Sequence, residues 1–155
     1  MQLTQFSDYA LRTLIYLGMR EGSLATIEEI AAAYGISESH LTKVVHKLGR
    51  LGVIDTVRGR GGGMRLNRSP ADINIGATVR LMEGNLNIVE CFDIAHNTCP
   101  IAPVCTLSGV LGEALEAFMK VLDRYTLAEM IKNRGDLASL LPMPDDGGRR
   151  RPALS

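Results

Sequence analysis

Long apolar runs are absent from the sequence, and this absence excludes a membrane protein. No run among its 155 residues approaches the ~20 residues that span a bilayer. The N-terminal apolar stretch contains Asp8 and Arg12 and lacks a small-residue cleavage site, so we expect no signal peptide and a cytoplasmic location. With 46% apolar and 22% charged residues, the composition is that of one soluble globular domain with an attached element.

Catalytic constellations are missing too. The three histidines are scattered along the chain. The sequence contains no Ser/His/Asp set and no pair of acidic residues in a catalytic arrangement. We therefore predict that the protein is not an enzyme.

The sequence has no net charge, but its charges are unevenly distributed. Seventeen basic residues balance 17 acidic ones. Residues 1–68 contain nine basic and six acidic residues, whereas residues 69–148 contain five and eleven. A basic N-terminal unit is typical of phosphate binding, and an ordinary solvated surface is the alternative.

The N-terminal third predicts a helix-turn-helix. Apolar residues at three- and four-residue spacing predict a first helix over 5–20. Thr26 and Glu29 form a capping box for a second helix, and Gly35 suits its left-handed end. We expect Ser37 to cap a third helix. The short corner between the second and third helices has the shape of a helix-turn-helix.

A basic hairpin rich in glycine follows the third helix. Residues 52–57 and 64–66 predict two strands, and four glycines between them permit a tight connection. Arg58 and Arg60 accompany these glycines at the tip. This order predicts a winged helix, with a plain exposed turn as the alternative. The expected fold class is mainly α with a small β-hairpin wing, a winged helix-turn-helix DNA-binding domain plus a long dimerisation helix.

The third helix and the hairpin supply the candidate DNA contacts. The residues expected to face away from the core are Ser39, His40, Thr42, Lys43, His46 and Lys47. Serine, threonine and lysine reach base edges or phosphates in the major groove, and Lys47 and Arg50 suit phosphates better than bases. Arg58 and Arg60 are placed for a minor groove, where narrow A·T-rich DNA attracts arginine.

The second half of the chain predicts a helix that needs a partner. An apolar stripe at nearly coiled-coil spacing consists of Leu107, Leu111, Ala114, Leu115, Phe118, Val121 and Leu122. Little of the domain remains to cover this stripe, so we expect it to pair with a second copy of the chain. A capping box at Thr126 starts a terminal helix that is expected to fade near Asn133.

These patterns divide the chain into five parts. We predict the DNA-binding domain over 1–68, a connecting helical segment over 69–87, a cysteine loop over 88–105, dimerisation and terminal helices over 106–135, and a mostly disordered tail over 136–155.

The cysteine loop predicts metal, cluster or redox chemistry. Cys91, Cys99 and Cys105 lie within fifteen residues, and an odd number excludes complete disulfide pairing within one chain. Such clustering disfavours the alternative that they are plain buried residues. A zinc site needs four ligands, which His96 would complete, but the C-x2-C and C-x4-C pairs typical of zinc do not occur.

Four segments carry a family resemblance: the opening MQLTQFSDYALRTLIYL, the helix-turn-helix IEEIAAAYGISESHLTKVVHKLGRLGVI, the wing VRGRGGGMRL and the C-x7-C-x5-C loop. Over residues 1–135 the chain resembles the Rrf2 family of bacterial winged-helix regulators, and most closely its NsrR-type, nitric-oxide-sensing branch. The resemblance implies a homodimer in which the long helices cross and each iron–sulfur cluster lies between a cysteine loop and a DNA-binding domain.

The resemblance also implies a ligand set. Cys91, Cys99 and Cys105 match the three cluster ligands of the family, and Asp8 matches the fourth, supplied by the other subunit. Arg12 lies at the i,i+4 spacing of an ordinary ion pair and is equally placed to orient the carboxylate. A 4Fe-4S cluster is the expected cofactor. A 2Fe-2S form is the alternative, and zinc is disfavoured.

Other branches of the family match less well. The cluster-assembly branch has a histidine where this chain has Ser108, and the two-iron redox branch has glutamate and histidine where this chain has Asp8 and Ala33. The iron-responsive branch shares the cysteine loop and stays an alternative. In related regulators, the positions that match Ser39, His40, Thr42, Lys43 and Arg58 face DNA.

The expected function is that of a homodimeric repressor that binds a palindromic operator in double-stranded DNA. It would sense nitric oxide through its cluster and control nitrosative-stress genes. An iron- or cluster-responsive regulator of the same family is one alternative. A zinc-stabilised or thiol-redox protein without a DNA role is the alternative from another class.

Overall fold

The first helix lies at the centre of the core. The computed structural model describes residues 2–20 and 22–144, and the bounds below refer to these residues. The helices are α1 (Gln5–Met19), α2 (Ile27–Tyr34), α3 (Glu38–Arg50), α4 (Ile75–Glu83), α5 (Thr106–Leu122), α6 (Leu127–Met130) and α7 (Arg134–Leu140), and the strands are β1 (Ile54–Val57) and β2 (Gly63–Leu66). Leu14 and Leu17 of α1 are almost completely buried. Around them pack α3, α4, α6 and β2.

The helix-turn-helix consists of α2 and α3. Thr26 and Glu29 form both bonds of the predicted capping box, and Gly35 ends α2 with φ +63°. Ser37 occupies the N-cap position of α3, but its hydroxyl pairs with Ser39 Oγ at 2.9 Å and makes no cap bond to the backbone of α3. The expected capping role of Ser37 is therefore wrong, because a neighbouring hydroxyl takes its side chain.

The predicted wing is confirmed as an antiparallel hairpin. Ile54 pairs with Leu66 and Val57 pairs with Gly63. The first strand is shorter than predicted, because Gly52 lies in a turn with φ +66° before it. At the tip, a side chain on Gly62 would overlap the Val57 carbonyl oxygen, so this position requires glycine.

The connecting segment is divided in two. A 3₁₀ turn spans Pro70–Asp72, and α4 begins after Asn74, whose Oδ1 accepts a hydrogen bond from Ala77 N at 2.9 Å. The break occurs because Ile73 is extended and its carbonyl oxygen accepts a hydrogen bond from Leu127 N at 2.8 Å. The single helical segment that the sequence predicted is thus interrupted by a contact with a distant part of the chain.

The C-terminal end of the described chain is more ordered than expected. The terminal helix predicted to fade near Asn133 is instead the short α6 followed by α7. Arg134 donates to the Gly18 carbonyl oxygen at 2.9 Å and so covers the end of α1. Leu137 and Leu141 pack against the core. Residues 136–144 therefore differ from the predicted disordered tail, and the rest of that tail, 145–155, lies outside the described residues.

The apolar stripe of α5 divides into two faces. Leu111, Leu115 and Phe118 turn toward the same chain and line a groove of about 720 Å³ together with residues 85–89. The other face is solvent-exposed, and we call it the outer seam. Its members are Leu107, Val110, Ala114, Ala117 and Val121. They alternate at three- and four-residue spacing, the pattern of a coiled-coil seam.

Candidate DNA interface and cysteine loop

The second helix of the helix-turn-helix, α3, is strongly amphipathic, and we call it the recognition helix because it carries most of the predicted DNA contacts. Leu41 and Leu48 are completely buried, and Val44 is nearly so. The exposed residues on the other side include Ser39, His40, Thr42, Lys43 and His46, all predicted as DNA contacts. Thr42 Oγ1 donates to the Glu38 carbonyl oxygen at 2.8 Å, which leaves the hydroxyl oxygen as an acceptor at the surface.

Lys47 has a different environment from the other predicted DNA contacts. Its ammonium donates to the Met82 carbonyl oxygen at 3.2 Å, in the last turn of α4. It also lies 5.3 Å from the ring centroid of Phe6. Carbonyl oxygens at a helix C-terminus and an aromatic face both attract a cation. The structure therefore gives Lys47 a role between α3, α1 and α4, and leaves Lys43 and Arg50 as the exposed cations of the helix.

The tip of the wing presents two exposed cationic side chains. They belong to Arg58 and Arg60, and the glycine between them has φ +97°. Two further arginines belong to the base of the hairpin, where sequence reasoning gave them no role. Arg65 pairs across the strands with Asp55 at 3.3 Å, and Arg68 donates to the Gly52 carbonyl oxygen at 3.2 Å. The arginines of the base thus have partners within the chain, while those of the tip face solvent.

Two of the three cysteines lie at the N-terminus of α5. All three thiols are free and half-buried. Cys105 is the N-cap residue of α5, and Cys91 Sγ lies 3.6 Å from the hydroxyl of Ser108 in the first turn. The first turn of a helix of 17 residues thus holds two sulfur ligands close to each other in the fold, and thiolates are soft ligands that suit iron–sulfur clusters and zinc.

An acidic side chain closes the loop between the first two cysteines. Glu90 Oε1 accepts hydrogen bonds from the backbone N–H and the hydroxyl of Thr98, both at 2.6 Å. These bonds, first the one from the hydroxyl, hold the pKa of Glu90 below its usual value. Cys91 directly follows Glu90, and Cys99 directly follows Thr98. The spacing of Glu90 and Thr98 gave no signal in the sequence, because it belongs to no regular element.

The His96 side chain pairs with another residue of the cysteine loop. Its Nδ1 lies 2.9 Å from Asp93 Oδ2, and its side chain is 83% exposed. This position agrees with a surface residue rather than with the fourth ligand of a zinc site.

Asp8 lies half-exposed on the first turn of α1. Its carboxylate pairs with Arg12 at 2.8 Å, the predicted i,i+4 contact. The Arg12 guanidinium also lies 5.9 Å from the centre of the Tyr34 ring. Burial raises the pKa of Tyr34 to about 12, against the smaller opposing effect of Arg12. Arg12 is therefore held between α1 and α2 and fixes one side of the Asp8 carboxylate.

The predicted ligands do not form one assembled group within a single chain. Among the described residues, the structure gathers no set of three or more histidine, cysteine, aspartate or glutamate side chains able to hold a metal ion. The donor chemistry nevertheless fits an iron–sulfur cluster, because the loop offers three free, accessible thiols, two of them at a helix N-terminus. It fits zinc less well, since the histidine on the loop is turned toward Asp93.

Comparison with known proteins identifies the family. The family model Rrf2, described as an iron-dependent transcriptional regulator, matches residues 3–133. The chain belongs to the Rrf2 family. It is 53% identical over 146 residues, 94% of its length, to the whole of the HTH-type transcriptional regulator NsrR of Bacillus subtilis (strain 168). It is 54% identical over 142 residues, 91% of its length, to 97% of the NsrR of Geobacillus kaustophilus (strain HTA426).

The solved structures agree with this assignment. The structure of T. potens IscR superposes with a TM-score of 0.69 and 25% identity, covering 93% of this chain and 94% of that one. The predicted family and the winged-helix fold are thereby confirmed. The protein is a DNA-binding transcriptional regulator of the Rrf2 family, and the prediction that it is not an enzyme is confirmed by the same relatives.

Within residues 2–20 and 22–144, no helix is long and apolar enough to cross a bilayer.

Proposed function

We propose that this Rrf2 regulator is a homodimeric cytoplasmic repressor that senses nitric oxide through an iron–sulfur cluster and controls nitrosative-stress genes. The observation that carries the proposal is a loop with three free cysteines, two of them at the N-terminus of α5, in a chain that matches NsrR relatives over nearly its whole length. A 4Fe-4S cluster is the favoured cofactor, with a 2Fe-2S form as the alternative.

The cysteine loop supplies three ligands and leaves one open. Cys91, Cys99 and Cys105 provide thiolates, and we assign the fourth position to Asp8 of the partner subunit. Arg12 orients that carboxylate, because it already holds the Asp8 side chain at 2.8 Å. When bound, the cluster supplies iron that reacts with nitric oxide, and a carboxylate is a harder and weaker ligand for that iron than a thiolate.

Dimerisation is assigned to the outer seam of α5. Leu107 and Val110 are 60% and 61% exposed, and Val121 is 44% exposed. Exposed apolar residues in a heptad pattern on a 17-residue helix are typical of a helix that pairs with a copy of itself. A two-fold dimer then places two copies of α3 and of the wing for the two halves of a palindromic operator.

A contact path connects Asp8 with the recognition helix. Asp8 lies in the turn that begins at Thr4, and the Thr4 backbone N–H donates to Glu83 Oε1 at 2.8 Å, at the end of α4. In the same turn of α4, the Met82 carbonyl oxygen accepts the bond from Lys47 of α3. The end of α4 therefore contacts both helices. A change in the group that Asp8 binds acts on the contacts at the end of α4. Through these contacts it changes the orientation of α3 relative to α1.

Anaerobic preparation of the full-length protein tests the proposal. We expect a brown protein with the absorption of an iron–sulfur cluster, equal amounts of iron and acid-labile sulfide, and no zinc. A colourless protein with one zinc per chain, or with neither metal, would point to the zinc-stabilised or thiol-redox alternative.

The DNA role is tested with a duplex that the protein itself selects from a random-sequence library. The cluster-loaded protein should bind this duplex tightly, whereas apo protein, nitric-oxide-treated protein and the single alanine variants of Cys91, Cys99 and Cys105 should bind weakly and remain folded dimers. Thr106→Ala is the matched control, because it changes a residue at the same helix start that is not a predicted ligand. Equal affinity in all states would refute the switch.

The family description favours a second candidate, a regulator that responds to iron or cluster supply. The matching family model is named for iron dependence. The two candidates differ in their response to a chelator. An iron-responsive protein changes its DNA affinity when iron is withdrawn without any nitric oxide, and tighter binding by the apo form would favour it.

A further inference from the structure

The end of α5 is joined to α4 by an ion pair with two parallel hydrogen bonds. Arg80 Nη1 lies 2.5 Å from Asp123 Oδ1, and Arg80 Nη2 lies 2.7 Å from Asp123 Oδ2. Such a two-pronged contact fixes the relative orientation of the two groups, which a single bond does not. The two side chains are 44% and 39% exposed, and ion pairs at the surface contribute little to folding. The pair therefore orients α4 and the end of α5 relative to each other more than it stabilises the fold.

Further contacts surround this pair and form one joint. Asn74 Nδ2 donates to the Asp123 carbonyl oxygen at 2.7 Å, and Ile75 N donates to the Tyr125 carbonyl oxygen at 3.0 Å. A Cβ atom on Gly76 would overlap the Asp123 carboxylate, so glycine permits the close approach. The start of α4, its Arg80 side chain and the end of α5 thus meet at a single place.

The joint connects two parts of the chain with different tasks. Val79 and Met82 bury the inner side of α4 in the core, and Glu83 accepts the hydrogen bonds from Thr4 of the N-terminal domain. Therefore α4 is packed and hydrogen-bonded onto the N-terminal domain. On the other side of the joint, α5 carries the outer seam. The joint therefore contributes to how each DNA-binding domain is held relative to the seam, together with the packing of α6 on α1.

We infer that the Arg80–Asp123 pair is a positioning element that sets which operator half-site spacing the dimer accepts. This inference rests on the proposed function, because it requires a dimer that binds two half-sites. A helix of 17 residues is ~25 Å long, so a rotation of about 10° at one end displaces the other end by ~4 Å. One base pair advances the half-site by only about 3.4 Å. It also turns the half-site by about 35° about the DNA axis, so a joint held at one angle fits one spacing better than its neighbours.

The test is a selection of duplexes from a random-sequence library by the full-length, cluster-loaded protein. Wild type is compared with Arg80→Met and Asp123→Asn, which remove the two-pronged contact, and with Arg80→Lys, which keeps only the charge. Lys120→Gln is the matched control, because it removes an exposed cation of α5 that is not part of the joint. The readouts are the distribution of half-site spacings and the affinity for a duplex with one half-site.

We expect wild type and Lys120→Gln to select one spacing. The preference for this spacing over one changed by a base pair should fall by about fivefold in Arg80→Met and Asp123→Asn, within the range of a surface ion pair. Arg80→Lys should lose as much, and the affinity for a single half-site should be unchanged in all variants. A purely structural role would instead lower all affinities together with the melting temperature.

The outcomes separate the inference from the proposed function. If wild type selects paired half-sites and all three joint variants select the same spacing as sharply, the inference is wrong and the proposed function stands. If wild type selects no paired half-sites, the dimeric repressor and the inference fall together. If single half-site affinity falls as much as spacing preference, the pair stabilises the fold and positions nothing.

Discussion

Lys47 of α3 donates a hydrogen bond to the Met82 carbonyl oxygen at 3.2 Å, and this contact directs its ammonium toward the end of α4. The partner is the C-terminal turn of α4, where unpaired carbonyl oxygens attract cations. Phe6 of α1 covers the same ammonium at 5.3 Å. A residue that the sequence assigned to phosphate thus ties together α1, α3 and α4.

Substitution of Lys47 and Lys43 should have different effects on binding and stability. Lys43 is exposed on α3, so Lys43→Ala should weaken DNA binding evenly across sequences and lower the salt slope by about 0.9. Lys47→Ala should leave the slope near that of wild type and lower the free energy of unfolding by about 1 kcal/mol. Salt titrations of affinity and urea unfolding measure the two effects. An equal decrease of the salt slope in both variants would show that Lys47 contacts phosphate, as the sequence predicted.

The outer seam predicts where a charge prevents dimerisation. Val110→Glu and Leu107→Glu place a carboxylate in the exposed heptad and should yield folded monomers with weakened operator binding. Lys120→Glu introduces the same group on α5 outside the seam and should remain dimeric. Sedimentation velocity measures the oligomeric state. Dimers from both seam variants would place the interface elsewhere.

Phe118 serves as an internal comparison for this interface. The apolar spacing of α5 did not separate Phe118 from the seam, but the structure turns this side chain into the groove beside residues 85–89. Phe118→Glu should therefore destabilise the chain itself, and lower its melting temperature more than Val110→Glu does.

The sequence predicted the features that depend on neighbouring residues and missed those that depend on contacts between distant parts of the chain. The capping box at Thr26, the left-handed Gly35 and the glycine-rich wing depend on neighbouring residues, and the sequence predicted each of them. The helix α7 was missed because Arg134 is fixed by carbonyl oxygens of α1, more than a hundred residues away. The break before α4 has the same cause, a backbone bond between Ile73 and Leu127. Tertiary contacts, unlike local spacing, leave no periodic trace in a sequence.

The candidate site was predictable in its chemistry and less so in its geometry. The cysteine spacing indicated a ligand loop, whereas the bonds between Glu90 and Thr98 that staple it had no sequence signal. The apolar spacing of α5 indicated a partner, but a stripe of seven apolar residues spans two adjacent faces of a helix. Only the packing of α4 and residues 85–89 decides which face remains exposed.

The wing should contribute sequence preference as well as affinity. Arg58 is exposed beside a glycine with positive φ, so its side chain is accessible to a minor groove. Arg58→Ala should weaken binding most to duplexes that are A·T-rich at the positions facing the wing, because a narrow A·T minor groove attracts arginine most strongly. Arg58→Lys keeps the charge as a control. Equal losses on A·T-rich and G·C-rich duplexes would exclude a minor-groove role.

The ion pair at the joint should give a stability contribution that depends on pH. The hydrogen bonds from Arg80 lower the pKa of Asp123 in the folded protein. A carboxyl group with a lowered folded-state pKa stabilises the fold above its ordinary pKa, and this contribution is lost as the pH falls through the lowered value. Carbon-13 NMR titration should show the pKa of Asp123 rising in Arg80→Met. An unchanged pKa would mean that the two groups are not paired in solution.

Substitution of Asp8 distinguishes a cluster ligand from an ordinary ion pair. If Asp8 only pairs with Arg12 on α1, Asp8→Ala costs about 0.5 kcal/mol or less and leaves the absorption spectrum unchanged. If Asp8 of the partner subunit is the fourth ligand, Asp8→Ala should accelerate cluster loss to a chelator and weaken operator binding, while Asp8→Cys should retain the cluster and react more slowly with nitric oxide. Glu116→Ala, which breaks the i,i+4 pair with Lys120 on α5, is the control.

Mixed dimers then show which subunit supplies the carboxylate. One chain carries Asp8→Ala and the other carries Cys99→Ala, so that each dimer contains one intact set of three cysteines. If Asp8 acts across the dimer, that intact set lies in the Asp8→Ala chain and receives the carboxylate of its partner, so one stable cluster per dimer is expected. If Asp8 acts within its own chain, neither set is complete, and the mixed dimer should lose its cluster as fast as the Asp8→Ala homodimer. The rate of absorbance loss under a chelator separates the two arrangements, because the mixed dimer contains one complete ligand set only if Asp8 acts across the dimer.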